Sequence, residues 1–185
     1  MRWWLRSLVI GATVGFAVGL VVGGTLGRVF MRILFLARED ALGIPTAMGA
    51  IVGEFTGGGT TAIYAFGAIA GIALGVAYTV GRRTLLPSGT TLRTILFTLG
   101  TTAFMLGQIV RGNREDFSFL PVTLGLVLIV GSVALTAAPV PLIVERLAPD
   151  RARRPGRLTQ GIVAIGLTGF AVFAVTGIMI AYAGS

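Results

Sequence analysis

The sequence contains no cysteine, no histidine and no lysine. Without cysteine, the chain forms no disulfide, no thiolate metal site and no cysteine nucleophile. Without histidine, it offers no imidazole as a general base, as a zinc ligand or as an axial ligand of haem or chlorophyll. It also contains neither a lysine-bearing phosphate loop nor a serine nucleophile elbow. We therefore expect no metal, no cofactor and no enzymatic activity.

Charged residues are also scarce, at 12% of the chain, whereas 55% of the residues are hydrophobic. A water-soluble domain of 185 residues could not bury so much apolar surface, so lipid is the expected solvent. All fifteen basic residues are arginine, and the net charge is +8. Because the arginines stand mainly at the ends of apolar segments and in loops, we expect anionic lipid headgroups, not nucleic acid, as the counter-charge.

Five apolar segments approach the length of about 20 residues that crosses a bilayer core of ~30 Å. They comprise residues 8–27, 61–80, 94–110, 120–138 and 159–183. The expected fold is an all-α integral membrane protein, a single bundle of about five transmembrane helices. Residues 36–60 are predicted to form an outer loop. Its 41–59 part contains Pro45 and Glu54 and is expected to be a surface hairpin or a short re-entrant piece.

The arginine distribution orients the predicted bundle. With the N-terminus in the cytoplasm, ten arginines lie on the inner side and five on the outer side. The inner set is Arg2, Arg6, Arg82, Arg83, Arg93, Arg146, Arg151, Arg153, Arg154 and Arg157, and the outer set is Arg28, Arg32, Arg38, Arg111 and Arg114. This excess predicts an inner-membrane protein with a cytoplasmic N-terminus and an outer C-terminus. A sixth span within 41–59 would place the arginine-rich loop 146–157 on the outer side of the membrane, so we reject it.

Glycines recur every fourth residue in the first two spans. The first span contains Gly11, Gly15, Gly19, Gly23 and Gly27, and the second contains Gly67, Gly71 and Gly75. Residues four apart share one face of a helix, and a face of glycines lets another backbone approach closely. The rows predict glycine-mediated packing, a glycine zipper between spans one and two of the same chain. The alternative is an oligomeric pore of glycine-faced helices.

The third span contains a polar stripe. Its members are Thr94, Thr98, Thr101, Thr102 and Gln108. Such side chains bond across helices or back to the carbonyl four residues earlier. The alternative is the polar wall of a solute or ion path.

Two arginines and a glutamate form a candidate site at the outer face. Arg28 and Arg32 share a helix face just after the first apolar segment, and Glu54 stands in the same predicted outer loop. An ion pair between Glu54 and either arginine would attach the loop to the bundle. The same trio as a ligand site is the alternative.

Pro139 and Pro141 are predicted to end or kink the fourth span near the inner face, since proline removes a helix donor and clashes with the preceding turn. Glu145 and Arg146 would then mark the exit of the chain from the membrane.

The order of several short motifs is informative. Gly27-Arg28-x-x-Met31-Arg32 follows the first span, Gly53-Glu54-Phe55-Thr56 precedes the second, Asp116-Phe117 precedes the fourth and Glu145-Arg146-Leu147 ends it. Over residues 8–150 this order resembles a group of small bacterial polytopic membrane proteins without an assigned activity. The resemblance implies a multi-pass fold and lends no catalytic or binding residue.

The sequence favours a non-enzymatic structural or accessory membrane subunit, which associates with another membrane protein or with copies of itself. The alternative is a small homo-oligomeric channel or transporter whose path is lined by the polar stripe of the third span.

Overall fold

The computed structural model describes residues 2–37, 43–44, 56–84, 86, 89–113, 121–148 and 179. Within these residues the chain is helical and contains no strand. The elements are α1 (Arg2–Val18), a π-helical turn (Gly19–Gly23), α2 (Gly24–Ala37), α3 (Gly57–Thr84), α4 (Thr90–Gly112), α5 (Val122–Ala137) and α6 (Pro139–Leu147). The all-α fold class is thereby confirmed.

Four helical stretches of the described chain are long and apolar enough to cross a membrane. They are Trp4–Leu34, Gly57–Arg82, Thr90–Gly112 and Val122–Leu147. These stretches contain nearly all of the first four predicted spans. The fifth, 159–183, lies outside the described residues apart from position 179, so the count of five remains a prediction.

Each of the four stretches has large apolar side chains on its outer surface. Examples are Val9, Val21, Ile69, Leu99, Val127 and Leu135. Lipid-facing helices present apolar side chains of this kind to hydrocarbon. Their backbone polar groups are already satisfied by hydrogen bonds within the helix.

α1 and α3 run antiparallel and give the largest helix–helix contact of the bundle. The backbone of Gly11 lies against Gly75, and that of Gly19 lies against Gly67. The start of α1 and the end of α3 are therefore at one end of the bundle.

Two apolar clusters fill the interior. One joins α4 to α5 through Leu106, Val110, Val122, Leu126 and Ile129, with Phe30 of α2 packed against it. The other joins α1, α3 and α6 through Val14, Val18, Tyr78, Val140 and Val144.

The bundle has two ends, which we name after Glu145 and Arg28. At the Glu145 end, α1 and α4 begin and α3 and α6 end. At the Arg28 end, α3 and α5 begin and α4 ends, close to α2.

The predicted stop at Pro139 is only a one-residue interruption. Ala138, between α5 and α6, keeps helical dihedral angles (φ −62°, ψ −39°) and donates its N–H to the Ala134 carbonyl at 3.0 Å. Pro139 occupies the first position of α6, where a missing N–H breaks no helical bond. The chain continues as helix to Leu147, so Glu145 lies on a packed helix, two residues before the end of the stretch Val122–Leu147.

Candidate functional site

The glycine rows of α1 and α3 face each other. The contacts pair Gly11 with Gly75, Gly15 with Gly71 and Gly19 with Gly67. A Cβ placed on Gly11 would lie 2.6 Å from the Gly75 carbonyl oxygen, which is closer than real Cβ contacts. At these positions any side chain would have to separate the two backbones.

The period of four in the first glycine row is interrupted at Gly23. The π-helical turn adds one residue to the turn, so Gly24 and not Gly23 next faces α3. A Cβ on Gly24 would lie 2.6 Å from the Tyr64 ring, whereas one on Gly23 would lie 3.4 Å from Thr136 of α5. Gly27 lies beside Ile63 of α3. The period-four pattern gives no sign of this register shift, which accompanies the packing against α5.

The most highly charged buried site lies at the Glu145 end, where three donors converge on one carboxylate oxygen. Tyr78 Oη donates to Glu145 Oε1 at 2.7 Å, and Arg93 Nη1 donates to the same oxygen at 2.9 Å. Arg82 Nη1 lies 3.4 Å from that oxygen and donates to the Ala148 carbonyl oxygen at 2.8 Å. We call Tyr78, Arg82, Arg93 and Glu145 the Glu145 cluster. It joins α3, α4 and α6.

The cluster has one more positive charge than negative. Two guanidinium groups face a single carboxylate, and the side chains of Arg82 and Arg93 are 0% and 5% exposed, against 11% for Glu145. Arg82 Nε and Nη2 are shielded from solvent and have no hydrogen-bond partner within the part of the chain that the structure describes. Buried donors without acceptors are costly, because they lose their water without a replacement.

The cluster has an apolar wall. The rings of Tyr78 and Phe97 meet edge to face, with centroids 5.1 Å apart. Val140 and Val144 of α6 pack against Tyr78 in the same apolar cluster. Exclusion of water strengthens the charge-assisted bonds to Glu145.

This geometry favours charge pairing over proton transfer. Oε1 of Glu145 accepts hydrogen bonds from Tyr78 and Arg93 and lies 3.4 Å from Arg82 Nη1. Within the described residues there is no group of three or more acidic side chains that could hold a metal ion.

Of the predicted outer site, the structure describes Arg28 and Arg32. Arg28 Nη2 donates to Thr60 Oγ1 at the start of α3, which joins α2 to α3. Arg32 is exposed on α2. Glu54 lies outside the described residues, so its pairing with either arginine remains a prediction.

The polar stripe of α4 divides into different environments. Thr94 donates its hydroxyl to the Thr90 carbonyl at 2.8 Å, the local bond that the sequence suggested. The hydroxyls of Thr98 and Thr102 are shielded and have no hydrogen-bond partner among the residues that the structure describes. Thr101 is half-buried and Gln108 is exposed.

Sequence reasoning missed the Glu145 cluster. It assigned Arg82 and Arg93 to the loop between two spans and Glu145 to the exit of the fourth. A usable signal was that all three stand at the same predicted end of the bundle, where Glu145 and Asp150 face ten arginines.

Comparison of the chain with protein-family models, curated proteins and solved structures finds no match in any of the three. The resemblance to small bacterial polytopic membrane proteins therefore remains a hypothesis.

Proposed function

We propose that this chain is a multi-pass membrane protein that acts as a non-enzymatic structural or accessory subunit. The observation that carries the proposal is the convergence of Tyr78, Arg82 and Arg93 on Glu145. This arrangement ties the ends of α3 and α6 to the start of α4 through one oxygen of the carboxylate. It suits a rigid scaffold better than a catalytic centre.

Glycine-mediated packing of α1 against α3 completes this scaffold in the proposal. Close backbone approach is a main source of helix association in lipid, where no hydrophobic force acts between helices. The facing glycines support this interpretation, and the remaining apolar surface is left for lipid or for a partner helix.

The topology belongs to the same proposal. We place five spans in the inner membrane, with the Glu145 end in the cytoplasm and the C-terminus outside. Arg6, which is exposed at the Glu145 end, would meet anionic headgroups there. The positive-inside rule supports this orientation.

Extraction of the full chain in native-lipid nanodiscs, followed by mass spectrometry of the intact particles, tests the accessory role. We expect a stoichiometric membrane-protein partner or a defined homo-oligomer, with no solute flux in reconstituted vesicles. A monomer without a partner, or a homo-oligomer that conducts, would contradict the proposal.

A channel or transporter is the second candidate, and the shielded hydroxyls of Thr98 and Thr102 favour it. Unpartnered hydroxyls spaced one turn apart are potential wall groups of a narrow polar path. Flux through vesicles should then fall in Thr98→Val and Thr102→Val but not in Thr94→Val, whose hydroxyl already bonds to its own helix. Absence of flux in the unmodified protein would reject this candidate.

A further inference from the structure

We propose that the Glu145 cluster is an oxyanion-binding site, with Arg82 as its principal ligand and a phosphate group as the anion. This site goes beyond the scaffold role and does not depend on it. The inference depends on three features of Arg82, namely its free edge, the charge around it and its depth in the bundle.

The first feature is a complete donor fork. Arg82 uses Nη1 both for its ion pair with Glu145 and for its hydrogen bond to the Ala148 carbonyl. The opposite edge of the guanidinium, formed by Nε and Nη2, is buried and has no acceptor among the described residues. These two N–H groups point in parallel, and together they match two oxygens of one phosphate or carboxylate.

The second feature is the charge. Arg82 and Arg93 contribute two positive charges and Glu145 one negative charge, so a single bound anion would make the cluster neutral. Because a buried unpaired charge is expensive, neutralisation gives the anion a strong electrostatic advantage over water. Water could satisfy the fork as an acceptor, but it would leave the excess charge in place.

The third feature is the depth of Arg82 in the bundle, which favours a phosphate group over other anions. Arg82 is the last residue of the spanning stretch Gly57–Arg82, and Arg93 stands one turn into the stretch that begins at Thr90. The fork is therefore placed at the level where a spanning helix meets lipid phosphates. Basic sites between helices at this level bind phosphate headgroups. The same chemistry would accept free inorganic phosphate.

The test uses the full chain, delipidated in a neutral detergent, with two probes. Inorganic phosphate is titrated while the unfolding temperature is followed, and phosphatidylglycerol is titrated while intact-protein mass spectrometry counts bound lipid. We expect at least one probe to bind. Binding of phosphatidylglycerol alone identifies a lipid headgroup, whereas binding of phosphate with no added affinity for the lipid identifies the free ion.

Two substitutions of Arg82 separate the effect of the paired donors from the effect of the charge. Arg82→Lys keeps the charge but removes the paired donors, and Arg82→Gln removes both. The loss of charge-assisted bonds should weaken binding by about tenfold or more in Arg82→Gln, with a smaller loss in Arg82→Lys. Arg146→Gln is the matched control, because Arg146 is exposed at the same end and next to Glu145 in the sequence.

Two results would overturn the inference. One is the failure of both probes to bind the unmodified protein, which decides the question even where an Arg82 variant does not fold. The other is an equal loss of affinity in Arg82→Lys, Arg82→Gln and Arg146→Gln, which would show attraction to a generally basic surface.

Discussion

Arg82 Nη1 lies 3.4 Å from Glu145 Oε1, so a guanidinium at the end of α3 faces a carboxylate near the end of α6. The Arg82 side chain is fully buried, and Arg93 of α4 shares the same carboxylate oxygen. One glutamate thus compensates two buried arginines. The stability of this end of the bundle should depend strongly on Glu145.

Glu145→Gln should cause a large loss of stability. The substitution keeps the shape of the side chain but removes the carboxylate that both guanidinium groups face, and breaking a buried ion pair costs about 3–5 kcal/mol. Unfolding of the purified chain in detergent micelles measures the loss. The control is Glu115→Gln, at a sequence position between α4 and α5.

Arg93→Gln added to Glu145→Gln should recover part of that loss, because it removes one of the two guanidinium groups that lost the Glu145 carboxylate. Strictly additive effects of the two substitutions would show that Arg93 and Glu145 are not coupled.

Tyr78→Phe should destabilise the bundle more than Tyr64→Phe does. The Tyr78 hydroxyl donates to Glu145 at 2.7 Å, and a hydrogen bond to a charged group contributes about 1.5–3 kcal/mol. The Tyr64 hydroxyl makes only an exposed 3.3 Å contact with Thr25. The same unfolding assay compares the two variants, and equal losses would contradict the importance given to the cluster.

Glu54→Gln should lower the stability of the chain, because it removes the predicted ion pair with Arg28 or Arg32. We expect a double-substitution cycle of Glu54→Gln with Arg28→Gln to show coupling, and the cycle with Arg32→Gln tests the other partner. Thr60→Val serves as a comparison, since it removes the observed acceptor of Arg28 without touching the carboxylate. Additivity in both cycles would reject the ion pair.

The absence of native cysteine allows a direct test of orientation. Ala152→Cys and Ser118→Cys each introduce a single thiol, the first in the arginine-rich loop and the second between α4 and α5. An impermeant thiol reagent added to intact cells should label position 118 and leave position 152 unlabelled. The reverse pattern would place the N-terminus outside.

Local patterns predicted the four long apolar helices well. Four long apolar segments became helices because their length and composition suit hydrocarbon, and glycines four residues apart came to lie on one face of α1 and of α3. These properties depend on neighbours within a few residues. They need no knowledge of how the helices pack.

The features that escaped prediction depend on packing between distant segments. Gly24 replaces Gly23 in the contact with α3 because of a π-helical turn. Arg82, Arg93 and Glu145 come together only because α6 continues past Pro139 as helix. Each of these residues, considered alone, has the sequence context of an ordinary residue at the end of a span.

The most direct test of glycine-mediated packing is the change in stability when a methyl group is added to the contact between α1 and α3. Gly71→Ala places a methyl group against the Gly15 backbone, whereas within the described chain no atom lies within 4 Å of a Cβ on Gly131. Unfolding in detergent micelles should show Gly71→Ala destabilised by about 1–3 kcal/mol, the usual cost of overpacking. Gly131→Ala should be neutral or stabilised by up to about 1 kcal/mol through its helix propensity. Equal stability of the two variants would contradict glycine-mediated packing of α1 against α3.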